Sequence, residues 1–330
     1  GYGAMAANTT GVSNTAVGYQ ALDSNQTASN NTAIGASALG ANTTGALNTA
    51  VGLEALDANT TGSGSIAVGY GALGAATTAS NNIAVGYTAL GAVTTAGGNS
   101  ALGYQSLLAN TSGDNNSAFG YNCMVSTTTG TNNTAMGSRA LDAHTTSHSN
   151  ACFGYGAGGG ITTGGNNNCF GSSSGNDALT TVTTTSNNIV VGNNSSDNAE
   201  IKIDWTVGSD ARDKTDIETL PDNAGLNFVN QMRPVTYVWD NRSNYYPHTD
   251  EKYGERDHSK KSTTKQVGFI AQEIKAIEES IGWEEDYVVN TSNEGSYKLM
   301  YSQVIPILTK AIQELSAEVE ELKEKSHIKC

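Results

Sequence analysis

Small, large and polar residues return along the first part of the chain at a fixed interval of seventeen. A tiny residue, a branched or large apolar one and a glycine recur as Ala16-Val17-Gly18, Ala33-Ile34-Gly35, Ala50-Val51-Gly52 and onward to Cys169-Phe170-Gly171. Counting from Gly1, the glycine returns without slippage at Gly18, Gly35, Gly52, Gly69, Gly86, Gly103, Gly120, Gly137, Gly154 and Gly171. A second bulky column follows it, Leu22, Leu39, Leu56, Leu73, Leu90 and Leu107, and farther on lies a hydroxyl column that includes Thr43-Thr44, Thr60-Thr61, Thr77-Thr78 and Thr145-Thr146. No unit offers a helical apolar stripe and every unit carries breakers, so helix is excluded. Gly and Asn supply left-handed corners, while Val and Thr favour pleated edges. Such a coil satisfies its backbone only by pairing with the coils above and below, which predicts a β-solenoid or β-roll. At about 4.8 Å per layer the array makes a shaft roughly 50 Å long. The large residue before the glycine and the leucine after it are the expected interior groups. One coil buries little alone, so three chains bundled side by side, a homotrimer, is the expected arrangement.

Past Gly171 the period breaks. Strand-like segments at residues 188–192 and 201–203 lead into a stretch of different chemistry. Residues 1–200 carry one basic side chain, Arg139, against eight acidic ones, whereas the remainder holds sixteen basic and twenty-three acidic residues and all three tryptophans, Trp205, Trp239 and Trp283. The predicted division is a solenoid shaft over 1–186, connecting strands over 187–208, a small α+β domain over 209–300 and a terminal helix over 301–330. Within the α+β domain, strands are expected at 234–239 and 267–270, a helix at 271–279 with Ile274 and Ile277 on one face, and a hairpin of 287–290 with 296–300 around Asn293-Glu294-Gly295. Residues 240–265, charged and aromatic without period, read as an excursion loop. In the last segment Tyr301, Ile305, Leu308, Ile312, Leu315, Val319, Leu322 and Ser326 alternate steps of four and three, a coiled-coil seam, with Pro306 expected in the first turn. The alternative is a helix packed on its own domain.

The overall charge is −14. An acidic balance without a basic stripe argues against nucleic acid and against an anionic membrane surface. No apolar run approaches the roughly eighteen residues that span a bilayer, and no signal peptide opens the chain, so no membrane insertion is expected. A start in mid-unit at Gly1 is what a piece of a longer chain would show.

Few residues carry chemistry. Cys123, Cys152 and Cys169 occupy small-residue columns and read as buried hydrophobes, with a Cys152–Cys169 bridge between stacked neighbours left open; Cys330 is terminal. Gly154, Gly156 and Gly159 spell GxGxxG inside the repeat, without the helix that would receive a phosphate. His144, His148, His248, His258 and His327 lack metal-ligand spacing, so neither metal nor cofactor is expected. Tyr2, Tyr19, Tyr70, Tyr87, Tyr104, Tyr121 and Tyr155 form an interrupted ladder that either packs between coils or stacks sugars. The acids Asp23, Glu54, Asp57, Asp114, Asp142 and Asp177 read as scattered singly around different columns, unlike the carboxylate pair of a glycan hydrolase.

Four blocks near the end have a further meaning: residues 209–217, reading Ser-Asp-Ala-Arg-Asp-Lys-Thr-Asp-Ile, then 232–239, 267–273 and 301–315. Together, over about residues 208–325, they resemble the intramolecular chaperone domain of phage tailspikes and tail fibres, the peptidase S74 family. The resemblance implies a domain that trimerises, guides assembly of the β-shaft before it and releases itself by cutting ahead of a serine. Carried over by position, the cut falls between Gly208 and Ser209, Ser209 is the nucleophile and Lys214 its base, in a serine endopeptidase that acts on its own chain. The implied partners are two further copies of the chain, other virion tail proteins and a host cell-surface glycan or protein receptor; the implied location is a virion tail fibre, folded in the host cytoplasm. A serine hydroxyl needs such a base, and lysine serves once desolvation lowers its pKa. The other reading is that Ser209 caps a turn and Lys214 is solvated. Two other classes stay in view. The Asn-Thr-Ala-Val-Gly unit is similar to the head repeat of trimeric autotransporter adhesins, which would make a bacterial surface binder, and a glycan-binding or glycan-degrading tailspike is the third.

Overall fold

Each coil contributes one three-residue strand. The computed structural model describes residues 1–176, 182–193, 196, 209, 211–240, 245, 251–252, 255–283, 285–291 and 297–327. The chain divides into two compact units, Gly1–Ala199 and Glu200–Cys330. In the first, strands β1 (Thr15–Val17) through β10 (Asn168–Phe170) and β11 (Ile189–Val191) pair in chain order as one parallel sheet of eleven. Equivalent residues face each other, Ala33 against Ala50 and Val51 against Val68, so the register is the repeat itself. The last step differs: Asn188 reaches back to Asn167 across twenty-one residues instead of seventeen.

The strand's middle residue points inward. Ala33, Ala50, Ala67, Ala84, Ala101, Ala118, Ala135, Cys152 and Cys169 are fully buried. The large column before the glycine faces outward, with Val17 56% and Leu102 49% exposed, which corrects the interior role expected for it. A strand alternates its faces, so the residues flanking a buried alanine must both leave the core. The leucine column is interior as expected, and it is buried from left-handed backbone: Leu56 has φ 51° and Leu73 φ 53°. That conformation costs an L-residue on the order of 1–2 kcal/mol, which full burial of a leucine offsets. In two coils glycine replaces the leucine, at Gly158 and Gly175, and those coils carry Cys152 and Cys169 where alanine stands elsewhere. A Cβ on Gly158 would lie 2.5 Å from Cys152 Sγ and one on Gly175 2.7 Å from Cys169 Sγ, so the sulfurs fill room that the leucines vacate.

Asparagine does more than turn corners, which the sequence reading missed. Asn31, Asn48, Asn82, Asn99, Asn116, Asn133, Asn150 and Asn167 form a buried ladder. The backbone N–H of Asn48 donates to Asn31 Oδ1 at 2.9 Å, and Asn48 Nδ2 donates to the Gly62 carbonyl at 2.8 Å. A second ladder runs through Asn25, Asn42 and Asn59, in which Asn42 Nδ2 donates both to Asn25 Oδ1 at 3.0 Å and to the Gly45 carbonyl at 2.9 Å. Thr43 Oγ1 donates to the Thr60 carbonyl one coil on at 2.9 Å, and the pattern repeats down that column. Leaving such buried groups unpaired would cost about 1–3 kcal/mol each.

His144 occupies a place in the second ladder. Its Nδ1 lies 2.9 Å from Thr127 Oγ1 and its Nε2 3.0 Å from the Ser147 carbonyl, so the neutral ring donates from Nε2 and accepts at Nδ1. Burial lowers its pKa from 6.5 to about 4. The folded state disfavours the proton, so the stability this neutral ring contributes is complete above pH 6.5 and is lost as pH falls through 4. The loss amounts to about 3 kcal/mol. Thermal midpoints measured between these pH values should fall in the wild-type chain and fall less in His144→Asn; equal slopes would dismiss the histidine as the cause.

The second unit has a separate core of Phe228, Ile274, Ile277, Val288, Val289, Val304 and Ile307. It contains α1 (Leu226–Gln231), β12 (Val235–Tyr237) antiparallel to β13 (Gln266–Gly268), α2 (Ala271–Ser280), β14 (Val289–Thr291) antiparallel to β15 (Tyr297–Leu299), and α3 (Tyr301–His327). The expected strands, helix and hairpin pairing are present, and α1 is an addition. The hairpin turn at Asn293-Glu294-Gly295 and the segment 201–203 lie outside the described residues. Helix α3 begins at Tyr301, so Pro306 sits inside it and not in its first turn. Proline has no N–H to give the carbonyl four residues back, so the helix gives up one intrahelical hydrogen bond there. Two apolar faces run along α3. Val304, Ile307 and Ala311 are buried against the unit's own core, whereas Ile305, Leu308, Ile312, Leu315, Val319 and Leu322 are 41–67% exposed. The helix thus packs on its own domain through one face, while the residues of the seam lie exposed on another.

Candidate self-cleavage site

Ser209 opens a short local fold. The residues after it make one turn of 3-10 helix, Ala211–Asp213, and Lys214 N donates to the Ala211 carbonyl at 3.3 Å. That turn carries the lysine back over the serine, and Lys214 Nζ donates to Ser209 Oγ at 2.7 Å. Both residues are exposed. The structure thus brings together the two side chains that the sequence singled out; Gly208, the residue before the expected cut, lies outside the described residues.

Downstream, the chain is pinned to α3. Glu314 accepts from Leu226 N at 2.6 Å, and Lys310 bridges Glu314 at 3.1 Å and Asp222 at 3.4 Å. The Leu226 N–H, followed by Lys310, holds the Glu314 carboxyl below the usual carboxylate range. Arg233, from the second sequence block, pairs through its guanidinium with Glu273 of the third. Inside the unit, the buried carboxylate of Glu278 accepts from Val288 N at 2.5 Å, joining α2 to the strand that follows. In the excursion segment, Asp240 gathers the Tyr245 hydroxyl at 2.8 Å and His258 Nδ1 at 2.6 Å, an anchor that sequence periodicity could not announce.

Residues 209–283 match the peptidase S74 family, the chaperone of endosialidase. The match covers the first three of the four blocks and ends before α3. The chain therefore joins an S74 chaperone region to a β-solenoid of about ten turns. No curated protein and no solved structure matches the chain. Among the described residues, no helix is long and apolar enough to cross a membrane.

The remaining chemical candidates sit in the rod. Cys123, Cys152 and Cys169 are free thiols. Burial pushes the Cys123 thiol up to about 12, and a hydrogen bond with Cys169, then burial, raise that of Cys152. Neither is a nucleophile at neutral pH. Tyr70, Tyr87, Tyr104 and Tyr121 stack at centroid spacings of 5.1, 5.2 and 5.3 Å, so both faces of Tyr87 and of Tyr104 are covered by neighbouring rings. Of the acids, Asp23, Asp57 and Asp142 share one column and are not in separate ones, two and five repeats apart. Burial, and then Glu54, raise the Asp57 pKa.

Proposed function

We propose that this chain is a bacteriophage tail fibre or tailspike protein whose S74 region brings three chains together, templates the assembly of the β-shaft and then cuts itself off between Gly208 and Ser209. The observation that carries this reading is the 2.7 Å contact between Lys214 Nζ and Ser209 Oγ inside the family match. The same contact serves the reaction with its proton reversed. In neutral form, Lys214 Nζ takes the hydroxyl proton while Oγ bonds to the Gly208 carbonyl carbon; Lys214 gives that proton to the Ser209 nitrogen as the C–N bond breaks and the nitrogen leaves as an amine, and water hydrolyses the resulting ester. A glycine before the cut lets the backbone bend toward attack without a Cβ in the way.

The function follows from the shaft's repetition. Coils that repeat every seventeen residues can form the same backbone hydrogen bonds one unit out of register, and non-local pairing is slow. A trimer formed at one end sets three chains level, and coils then add upward from it. Removing the template afterwards makes the assembled shaft difficult to reverse, a kinetic trap. The open seam of α3 supports trimer formation. The finished shaft stands on the virion, where it contacts other tail proteins and a host-surface receptor.

The test compares the wild-type chain with Ser209→Ala on a denaturing gel. A fragment starting at Ser209, identified by amino-terminal sequencing, should appear with the serine and be absent without it. An intact wild-type chain under assembling conditions would refute self-cleavage.

A further inference from the structure

The outward face of the strand stack carries a size pattern that the rod itself does not need. The first and third residues of each strand flank a middle residue that is buried, or half-buried in β1 and β11, and point away from the interior. Where the third is aromatic, the first is small: Ser117 with Phe119, Ala151 with Phe153, Asn168 with Phe170. Where the first is isoleucine, the third is valine: Ile66 with Val68, Ile83 with Val85, Ile189 with Val191. Ser100 with Leu102 and Thr134 with Met136 follow the same inverse relation. Against water, neither apolar character nor compensation between columns has a cause. The stripe is roughly 50 Å long and about 10 Å wide, on the order of 500 Å², which with the flanking tyrosine column exceeds what a monomer ordinarily exposes.

We infer that this face is the inter-chain interface of the shaft and that its size pattern locks in the level register in which the template places the copies. The inference rests on the trimer reading above and deepens it. The occupant is a second copy of this chain, because only an object with the same coil spacing can follow the stripe along its whole length. In a cyclic trimer the first column of one chain lies against the third column of the next, since such an interface joins different patches. At zero offset each layer then sets Ser117 against the partner subunit's Phe119 and Ile83 against the partner subunit's Val85. A slip of one coil one way sets Ile83 against the partner subunit's Leu102, which overfills that layer; a slip the other way sets Ile189 against the partner subunit's Phe170, which overfills, and Ser100 against the partner subunit's Val85, which leaves room unfilled. Dense interiors tolerate neither.

Cysteine cross-linking of the full chain in a Cys330→Ser background tests this, alongside native mass. A chain carrying both Ser117→Cys and Phe119→Cys should form covalent trimers under mild oxidation, and one carrying Ser100→Cys with Phe119→Cys, one coil apart, should form few. A native trimer that links only through the offset pair, or through neither, overturns the inference and leaves the trimer standing. A monomer by native mass overturns both. If the cysteine chains do not fold, size exchange decides. Ser117→Ile should lower the trimer's thermal midpoint and Ser117→Ile with Phe119→Val restore it, and absence of that rescue counts against the inference.

Discussion

Gly69→Ala is expected to open the rod at its coil, while Gly71→Ala, two residues on, leaves it folded. Gly69 has φ 132°, and a Cβ there would collide with the carbonyl oxygen of Gly86 in the next coil. Gly71 has φ 58°, and its Cβ would meet only Thr88 Cγ2, at 3.5 Å. Side chains already stand in the Gly71 column, at Gln20, Glu54, Thr88, Gln105 and Arg139, all with φ between 48° and 59°. A left-handed alanine costs about 1–2 kcal/mol at Gly71. At Gly69 backbone strain and overpacking add to roughly 4 kcal/mol. Coils are stabilised mainly by their neighbours, so the damage spreads from one coil to the two it touches. Thermal melting followed by far-ultraviolet circular dichroism should show a drop of roughly 10 °C for Gly69→Ala and a few degrees for Gly71→Ala. Equal drops would mean that the close approach of successive glycines is not what the period protects.

The period was fully legible because each coil obeys the same steric rule at the same place; what each column does inside a coil was less so. Val17 and Leu22 are both bulky and both periodic, yet one faces solvent and the other is buried. A three-residue strand offers too few positions for alternation to declare its inner face. Asn30 and Asn31 are neighbours of identical type, the first an exposed corner at φ 62° and the second a buried rung of the hydrogen-bond ladder. Corner and rung chemistry suit the same side chain, so composition could not separate them. Cys152 and Cys169 read correctly as small buried residues, but their tie to Gly158 and Gly175 needs the coil's cross-section. In the second unit, the short α1 had no room to show a period, whereas Ile274 and Ile277 on α2 did. The Ser209–Lys214 pair was legible only through the family resemblance; the 3-10 turn that brings the two side chains to 2.7 Å is seen in the structure alone.

Self-cleavage should depend on assembly as strictly as on the dyad. In one chain Ser209 and Lys214 are both exposed, whereas a lysine serves as a base where desolvation disfavours its charged form. On the trimer reading, a neighbouring copy supplies that cover. Lys214→Met should reduce the cleavage rate by roughly 10²–10⁴, the usual worth of a positioned base, and Ser209→Ala should abolish it. The decisive variant touches neither residue. Ile312→Glu with Leu315→Lys charges the seam of α3 at positions 67% and 49% exposed in the single chain, leaving the buried Val304, Ile307 and Ala311 face intact. That chain should be monomeric by native mass, retain its helical signal and remain uncut, while Glu318→Gln, off the seam, should assemble and cleave as the wild type does. A seam variant that is monomeric yet cleaves at the wild-type rate would place the activation of Lys214 within one chain. Cleavage would then precede alignment of the coils, and a template lost before its shaft is built cannot have set the register.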